Sequence, residues 1–380
     1  MKIASIIAEY NPFHKGHAYQ INKIKEDYTD FIVVIMSGNF VQRGEPAIIN
    51  KYERARQAVN NGASLVLELP LPYATSNAEI FALGAINILN SMGIINRLYF
   101  GSEDELEVLK SLQEKIDKNF DEDKLKKYLS EGKSFIRSRQ LAMDFLSLEE
   151  KEILKKSNNI LALEYLKSLT KLNSSIAPYS IKRKNVNHND DFSLDGFASA
   201  SHIRRLAYEG EDVSNFLPGY DLVAENKLEN YFDIFKYKML SEKINFNDYF
   251  DYEKGLENRI LENLDSENFH DLIEKVHSKR HSRSRIKRLI IEILLDVKKD
   301  LIKNSFKDPY TRVLACDERG LEIFKKSKNI NKIYSFKSFY DTSSGITKEM
   351  LDKEILASDL YNIKNGKIKT DFTREVYKKL

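Results

Sequence analysis

A chain of 380 residues can bury more than one hydrophobic core, because single cores stop growing at roughly 250 to 300 residues, so two domains are expected. Sixty Lys and Arg stand against 57 Asp and Glu, a net charge of only +3, so any affinity for nucleic acid has to come from local clustering. One cysteine, Cys316, excludes an internal disulfide and a multi-cysteine zinc site and fits a reducing cytoplasm; no apolar run approaches ~18 residues, so no membrane span is expected, and Glu9 and Asn11 interrupt the first run too early for a signal peptide.

Ile3, Ala4, Ile6, Ile7 and Ala8 form a short apolar run of the kind expected of a strand buried on both faces. Ile21 and Ile24 then recur at helical spacing. Between them lies Ala8-Glu9-Tyr10-Asn11-Pro12-Phe13-His14-Lys15-Gly16-His17, so the layout is strand, tight turn, helix. The first amides of a helix lack internal partners and its dipole favours negative charge, which makes this turn a place to hold a nucleotide phosphate. Attack on the α-phosphorus of a nucleoside triphosphate needs charge stabilised on the equatorial and leaving oxygens, and the His14 and His17 imidazoles with backbone amides can supply it. Gly16 allows a close backbone approach to the phosphates, and Pro12 stiffens the turn and favours an extended Asn11.

Further along, Phe31-Ile32-Val33-Val34-Ile35-Met36 predicts a second buried strand, ending in the polar loop Ser37-Gly38-Asn39-Phe40-Val41-Gln42-Arg43-Gly44. Asn50 can cap a helix through Lys51, Tyr52, Ala55 and Val59 that stops at Gly62. Leu65-Val66-Leu67-Glu68-Leu69-Pro70 predicts a third strand. Ser76 and Glu79 have capping-box spacing at the head of a helix that Gly93 ends, and Arg97-Leu98-Tyr99-Phe100 predicts a fourth strand running into Gly101. This alternation implies an α/β fold, a doubly wound parallel sheet with ligands collected at the carboxyl ends of its strands, in the loops around 8–17, 37–44, 70–76 and 101–104.

Residues 105–170 read as helices. Asn158 and Asn159 open the last of them as caps or, facing the crevice, as nucleotide contacts. A fifth strand is expected over Ser180-Ile181-Lys182-Arg183. Ser199 and Ser201 then cap a helix with Arg204 one turn on, a second phosphate cradle. Residues 209–309 read as mostly helical. Within them Lys275 to Arg288 carries Lys279, Arg280, Arg283, Arg285, Lys287 and Arg288 with no acid, which is either a solvated face or an RNA contact. Arg312-Val313-Leu314-Ala315-Cys316 predicts one more strand, followed by a helix with Leu321, Ile323 and Phe324. The domains expected are 1–208, catalytic, and 209–380, helical, with a small α/β unit near 310–336.

His14-Lys15-Gly16-His17 resembles the H-x-G-H signature of the nucleotidyltransferase superfamily, and Ala198-Ser199-Ala200-Ser201-His202-Ile203-Arg204 its second, Ser/Thr-rich motif. More closely, Glu9 to His17, Ser37 to Pro46, Glu68-Leu69-Pro70, Phe100-Gly101-Ser102-Glu103, Asn158 to Tyr165, Lys279 to Ile286 and Tyr310 to Leu314 are similar to the bacterial tRNA(Met) cytidine acetate ligases, a resemblance that spans nearly the whole chain. It implies an enzyme that uses ATP to activate acetate as acetyl-adenylate, releases pyrophosphate, and transfers the acetyl group to N4 of the wobble cytidine of elongator tRNA(Met); Mg2+ is expected from triphosphate chemistry. It implies catalytic roles for His14 and His17, and ATP contacts from Ile7-Ala8-Glu9-Tyr10-Asn11-Pro12-Phe13-His14-Lys15-Gly16-His17-Ala18-Tyr19-Gln20, Gly101, Asn158 (or Asn159 in its place) and Arg183, with Ser199, Ser201 and Arg204 joining from the second motif. Lys279, Arg280, Arg283, Arg285, Lys287 and Arg288 are the expected tRNA contacts. The chain departs from the family in Lys184-Asn185-Val186-Asn187, where glycines are expected, and in Ser64, where an Asp is. The competing enzyme reading is a small-molecule adenylyltransferase using the same histidines, and the non-enzymatic one is an RNA-binding protein with a nucleotide switch.

Overall fold

The computed structural model describes residues 1–27, 30–133, 135–182 and 196–379. Arg183 and the Lys184-Asn185-Val186-Asn187 departure lie outside the described residues. Among the described residues eight strands form one sheet: β1 (Ile3–Ala8), β2 (Phe31–Ser37), β3 (Leu65–Leu69), β4 (Arg97–Ser102), β5 (Ala177–Lys182), β6 (Tyr310–Asp317), β7 (Asn331–Ile333) and β8 (Tyr377–Lys379). The order is β8-β6-β3-β2-β1-β4-β5, with β7 pairing β6 off this path. Each of these pairs is parallel except β3 with β6.

The apolar runs have a simple cause. On β1 and β2, Ile3, Ile7, Val33 and Ile35 face one core, while Ala4, Ile6, Ile32, Val34 and Met36 face another. The first core is completed by α3 (Ala78–Met92) and α4 (Ser157–Lys171), through Phe81, Ile86, Leu163 and Leu166; the second by α1 (Lys15–Asp27) and α2 (Lys51–Asn60), through Ile21, Ile24, Ala55 and Val59. Period-two alternation between two buried faces leaves few polar positions, Ser5 on β1 and Glu68 on β3 among them, so the strands read as largely hydrophobic stretches. Asn50 caps α2 by accepting from the Glu53 amide, and Gly93 ends α3 at φ +68°. At the head of α3 the cap is Asn77, which accepts from the Ile80 amide. The expected capping-box residue, Ser76, instead donates to the Pro72 carbonyl, because a short helical turn at Leu71–Ala74 lies just ahead and claims its hydroxyl.

Winding outward from β1, the chain lays down β2 and β3 on one side, then crosses to place β4 and β5 on the other. The reversal falls between β1 and β4, and in open α/β sheets ligands bind outside the carboxyl ends of the strands at such a point.

The C-terminal half is mostly helical from 209 to 309, as its pattern predicts, with a core of its own around Phe232, Phe235, Phe269, Leu289 and Ile293. Phe40 and Leu71, from the sheet's carboxyl edge, enter that core. The stretch near 310–336 is not a separate small unit. Its strand β6 runs antiparallel along β3 and widens the first sheet, and the tail adds β8 beside it.

A buried set of charges fastens these late elements down. Lys51 Nζ lies 2.9 Å from Glu68 Oε1 and 3.0 Å from Asp371 Oδ1, Arg312 bonds Glu68 and lies 3.0 Å from Asp371, and Ser358 of α7 (Gly345–Tyr361) donates to Asp371 at 2.7 Å.

Candidate nucleotide site at the carboxyl edge of the sheet

The chain leaves β1 through Glu9 and turns at Tyr10, whose φ of +49° is left-handed, a conformation rarely held by a bulky side chain. The next bond, Asn11-Pro12, is cis. Tyr10 and Phe13 are fully buried with ring centroids 4.8 Å apart, and Tyr10 packs on His17 at 4.7 Å. These aromatics form the floor on which the imidazoles rest.

His14 and His17 are stacked, centroids 3.7 Å apart and planes 24° from parallel. The Gly16 amide donates to His14 Nδ1 at 3.0 Å, and the His14 amide donates to His17 Nδ1 at 3.2 Å. An imidazole whose Nδ1 accepts carries its proton on Nε2 when neutral, so the turn itself sets both rings as Nε2 donors. A Cβ at Gly16 would come within 2.8 Å of His14 Cε1. Glycine here makes room for the folded-back imidazole.

Several groups hold the turn from behind. Arg54 on α2 is fully buried, and its guanidinium donates to the carbonyls of Glu9 (2.5 Å), Ser37 (3.2 Å) and Gly38, with Nε on Ile49 (3.0 Å). It thereby binds the carboxyl ends of β1 and β2 together. Burial pulls its pKa down to about 10. Asn11 Oδ1 accepts from the Ile48 amide at 2.7 Å, and Tyr220 donates to the Phe13 carbonyl at 2.6 Å.

The second motif does reach back to the first. Ser199 caps α5 (Ala200–Glu209) by accepting from the His202 amide, so its hydroxyl is engaged in the helix start, and Ser201 lies half-buried in the first turn. Arg204 donates to the Asn11 carbonyl at 2.7 Å and to Glu45 at 2.9 Å. Burial raises the Glu45 carboxyl, but Arg204 and Lys287 outweigh it and hold the group below the ordinary carboxylate range.

Gly101 lies near the end of β4, in register with Ile181 of β5. Asn158 and Asn159 are not caps: α4 begins at Ser157, and both sit inside its first turn. Asn159 is fully buried and fully used, accepting from the amides of Glu103 and Asp104 and donating to Asp104 at 2.6 Å. Asn158 donates to Glu103 at 2.6 Å and is half-buried. Glu103 in turn accepts from the first amides of α4, which ties that helix to the loop after β4.

The basic cluster meets acids from outside itself, one just before it and the others further off in the chain. Arg283 pairs with Glu274 (2.6 Å), Arg280 with Glu253 (2.7 Å), Arg285 with Glu253, and Arg288 with Asp251 through two 2.7 Å bonds. Arg288 is largely enclosed, and Lys279 is exposed. Lys287 reaches Glu45 at 3.4 Å, so α6 (Arg283–Leu295) and α5 meet on one carboxylate beside the histidine turn. The approach is close: at Gly44, φ +74°, a Cβ would stand 2.4 Å from the Arg288 backbone nitrogen. Sequence reasoning missed Arg54, Glu45 and Asp251 as partners, since none carries a local signal beyond being charged.

A paired-histidine turn that opens a helix at the strand reversal defines a nucleotidyl transferase of the H-x-G-H class, and the family described as HIGH Nucleotidyl Transferase matches residues 1–375. The chain is 42% identical to the tRNA(Met) cytidine acetate ligase of Clostridium novyi (strain NT), over 88% of this chain and 89% of that protein. It is 38% identical to that of Caldicellulosiruptor saccharolyticus, over 96% and 94%. It belongs to the tRNA(Met) cytidine acetate ligase family. Among solved structures, apo TmcAL of Thermotoga maritima matches with a TM-score of 0.89 at 29% identity, covering 100% of this chain and 99% of that one. The same protein bound with alpha-thio ATP matches at 0.88.

Proposed function

We propose that this chain is an ATP-dependent ligase that activates acetate as acetyl-adenylate and transfers the acetyl group to N4 of the wobble cytidine of elongator tRNA(Met). The observation that carries this reading is the stacked His14 and His17 pair, each Nδ1 fixed by a main-chain amide, at the carboxyl end of the strand where the sheet reverses. Two Nε2 donors on one side of a helix start suit the non-bridging oxygens of an α-phosphate and a departing pyrophosphate. The relative solved with alpha-thio ATP supports a nucleotide here.

In the first step a carboxylate oxygen of acetate attacks the α-phosphorus and pyrophosphate leaves. Gly101, Asn158 and Arg183 are the proposed contacts to the rest of ATP, with the 7–20 segment around its phosphates. Asn158 is preferred to Asn159 because the latter has spent its side chain on the loop after β4. Mg2+ would ride on the triphosphate, whose oxygens are its natural ligands; among the described residues no three His, Cys, Asp or Glu gather to hold a metal. In the second step the exocyclic amine of cytidine, a weak nucleophile, attacks the mixed anhydride. The tRNA is proposed to approach over α6, whose Lys287 shares Glu45 with Arg204 beside the turn.

Among the described residues no helix is long and apolar enough to cross a membrane, and a cytoplasmic setting is part of this proposal. Incubation with ATP, labelled acetate and purified tRNA tests it. Label on tRNA(Met) is the expected result; AMP joined to another acceptor, or no product, would replace it with a small-molecule adenylyltransferase or a nucleotide-switched RNA binder.

A further inference from the structure

We propose that Glu9 is the proton acceptor for the amine that receives the acetyl group, a role that rests on the reading of acetyl transfer given above. Glu9 directly follows β1 and precedes the histidine turn. Among the described residues its Oε1 is buried and makes no hydrogen bond, while Oε2 lies 4.0 Å from Arg43 Nε. Three other buried carboxylate oxygens among those residues lack a hydrogen bond, but their settings differ: Glu68 Oε1 sits 2.9 Å from Lys51, Glu164 Oε2 sits 3.9 Å from Lys167, and Glu292 belongs to the C-terminal helical core. Of these four, Glu9 is the one that stands beside the histidine turn at the strand reversal. A carboxylate there repels a triphosphate, and an unsatisfied oxygen is costly to bury, so its placement calls for a donor brought by the substrate.

The carboxylate is also held in place. Arg54 grips the Glu9 carbonyl at 2.5 Å and the following residue, Tyr10, is locked at φ +49°. Strain of this kind persists only where surrounding structure enforces it and is concentrated at functional sites. The groups facing Glu9 are Arg43 and Glu45 from the loop after β2, Arg54 from α2, Tyr165 from α4 and Arg204 from α5. Burial raises its pKa, reinforced by Glu45, and Arg43, Arg204 and a hydrogen bond from the Gln42 main chain oppose this without cancelling it. A base of raised pKa takes a proton more readily than an exposed carboxylate.

The step balances. The N4 lone pair forms the bond to the acyl carbon, the bond from that carbon to the AMP oxygen breaks with its electron pair on the phosphate, and the proton lost by N4 converts the Glu9 carboxylate to a carboxylic acid.

The experiment measures two half-reactions of the full-length chain: acetate-dependent ATP–pyrophosphate exchange, and single-turnover transfer from preformed acetyl-adenylate to tRNA(Met). In Glu9→Gln, transfer is expected to fall about 100-fold further than exchange, a usual scale for one general base. Transfer by the unaltered protein should decline as pH falls through the Glu9 pKa, that limb should vanish in Glu9→Gln, and Glu9→Asp should keep it. Equal losses in both half-reactions, an unchanged transfer rate, or an acid limb that survives in Glu9→Gln would each overturn the role of Glu9 while leaving the ligase standing. Lack of acetate-dependent exchange in the unaltered protein would instead remove the ligase reading, and this role with it.

Discussion

Two sets of buried charge sit at the carboxyl edge of the same sheet and are built on opposite plans. Around Lys51, Glu68, Arg312 and Asp371, two cations meet two anions, and Tyr52 and Ser358 add hydroxyls at 2.9 and 2.7 Å to Asp371. Around the histidine turn, among the described residues, Arg54 has carbonyls as its hydrogen-bond partners, Glu9 Oε1 and Asn11 Nδ2 have none, and Arg204 spends one arm on a carbonyl. The first set pairs cation with anion and joins distant segments; the second leaves two polar atoms unmet, which is what the proposed ligand role requires. A buried ion pair is strongly destabilised when one partner is removed, whereas an unmet buried polar atom is a candidate for a ligand.

The comparison can be broken first at its closed end. Lys51→Met leaves Glu68 and Asp371 with Arg312 as their shared cation, and loss of one partner from such a set costs about 3–5 kcal/mol. A urea unfolding midpoint should register it, and a loss under about 1 kcal/mol would mean the network does not secure the tail to the sheet. At the open end, His17→Ala should raise the barrier to pyrophosphate exchange by about 3 kcal/mol, roughly two orders of magnitude in rate, with little change in the unfolding midpoint. Retained exchange would take this histidine out of the chemistry.

A third, smaller effect concerns Glu354, whose Oε1 accepts from the Leu71 amide at 2.6 Å beside the closed network. Burial, reinforced by the Glu68 charge, raises its pKa to about 8. A carboxyl that binds its proton more tightly when folded gives full stability below the ordinary carboxylate range and loses it as pH rises toward about 8. Glu354→Gln should therefore flatten the decline between pH 5 and 8, on the order of 2 kcal/mol, in thermal melts. Asp371 works the other way. Burial raises it, but Arg312 and Lys51 prevail and hold it at about 2, so its contribution is lost only in strong acid. The smallest effect is expected on the outer cluster, where Arg283→Ala with Arg285→Ala should weaken tRNA binding a few-fold. The logarithmic salt slope should become shallower by about 0.7 to 0.9 for each phosphate that the variant no longer neutralises. An unchanged slope moves the RNA path away from α6.

Much of the sheet was legible because parallel strands covered on both faces leave an uninterrupted apolar trace, as in Phe31 to Met36. The histidine turn was legible because its chemistry is local: residue types, spacing and a helix start lie within one stretch. The pairing of the basic cluster was hidden by the same token. Between Lys275 and Arg288 there is no acid, yet Asp251, Glu253, Glu274 and Glu45 arrive from elsewhere to pair with it. Nor does any pattern within α2 separate Lys51 and Arg54, both fully buried, from the exposed Arg56.

The sequence by itself determined the alternation of strands and helices, the turn that carries His14 and His17, and the family. Periodicity and short motifs act between neighbours in the chain. Only the tertiary structure decided that β6 and β8 extend the first sheet, that Arg54 clamps two strand ends, that Asn159 spends its side chain on the loop after β4, and that Glu9 keeps an unmet oxygen. These depend on which charges meet across hundreds of residues, and burial, which makes each unpaired group costly, is a property of the packed molecule rather than of any segment.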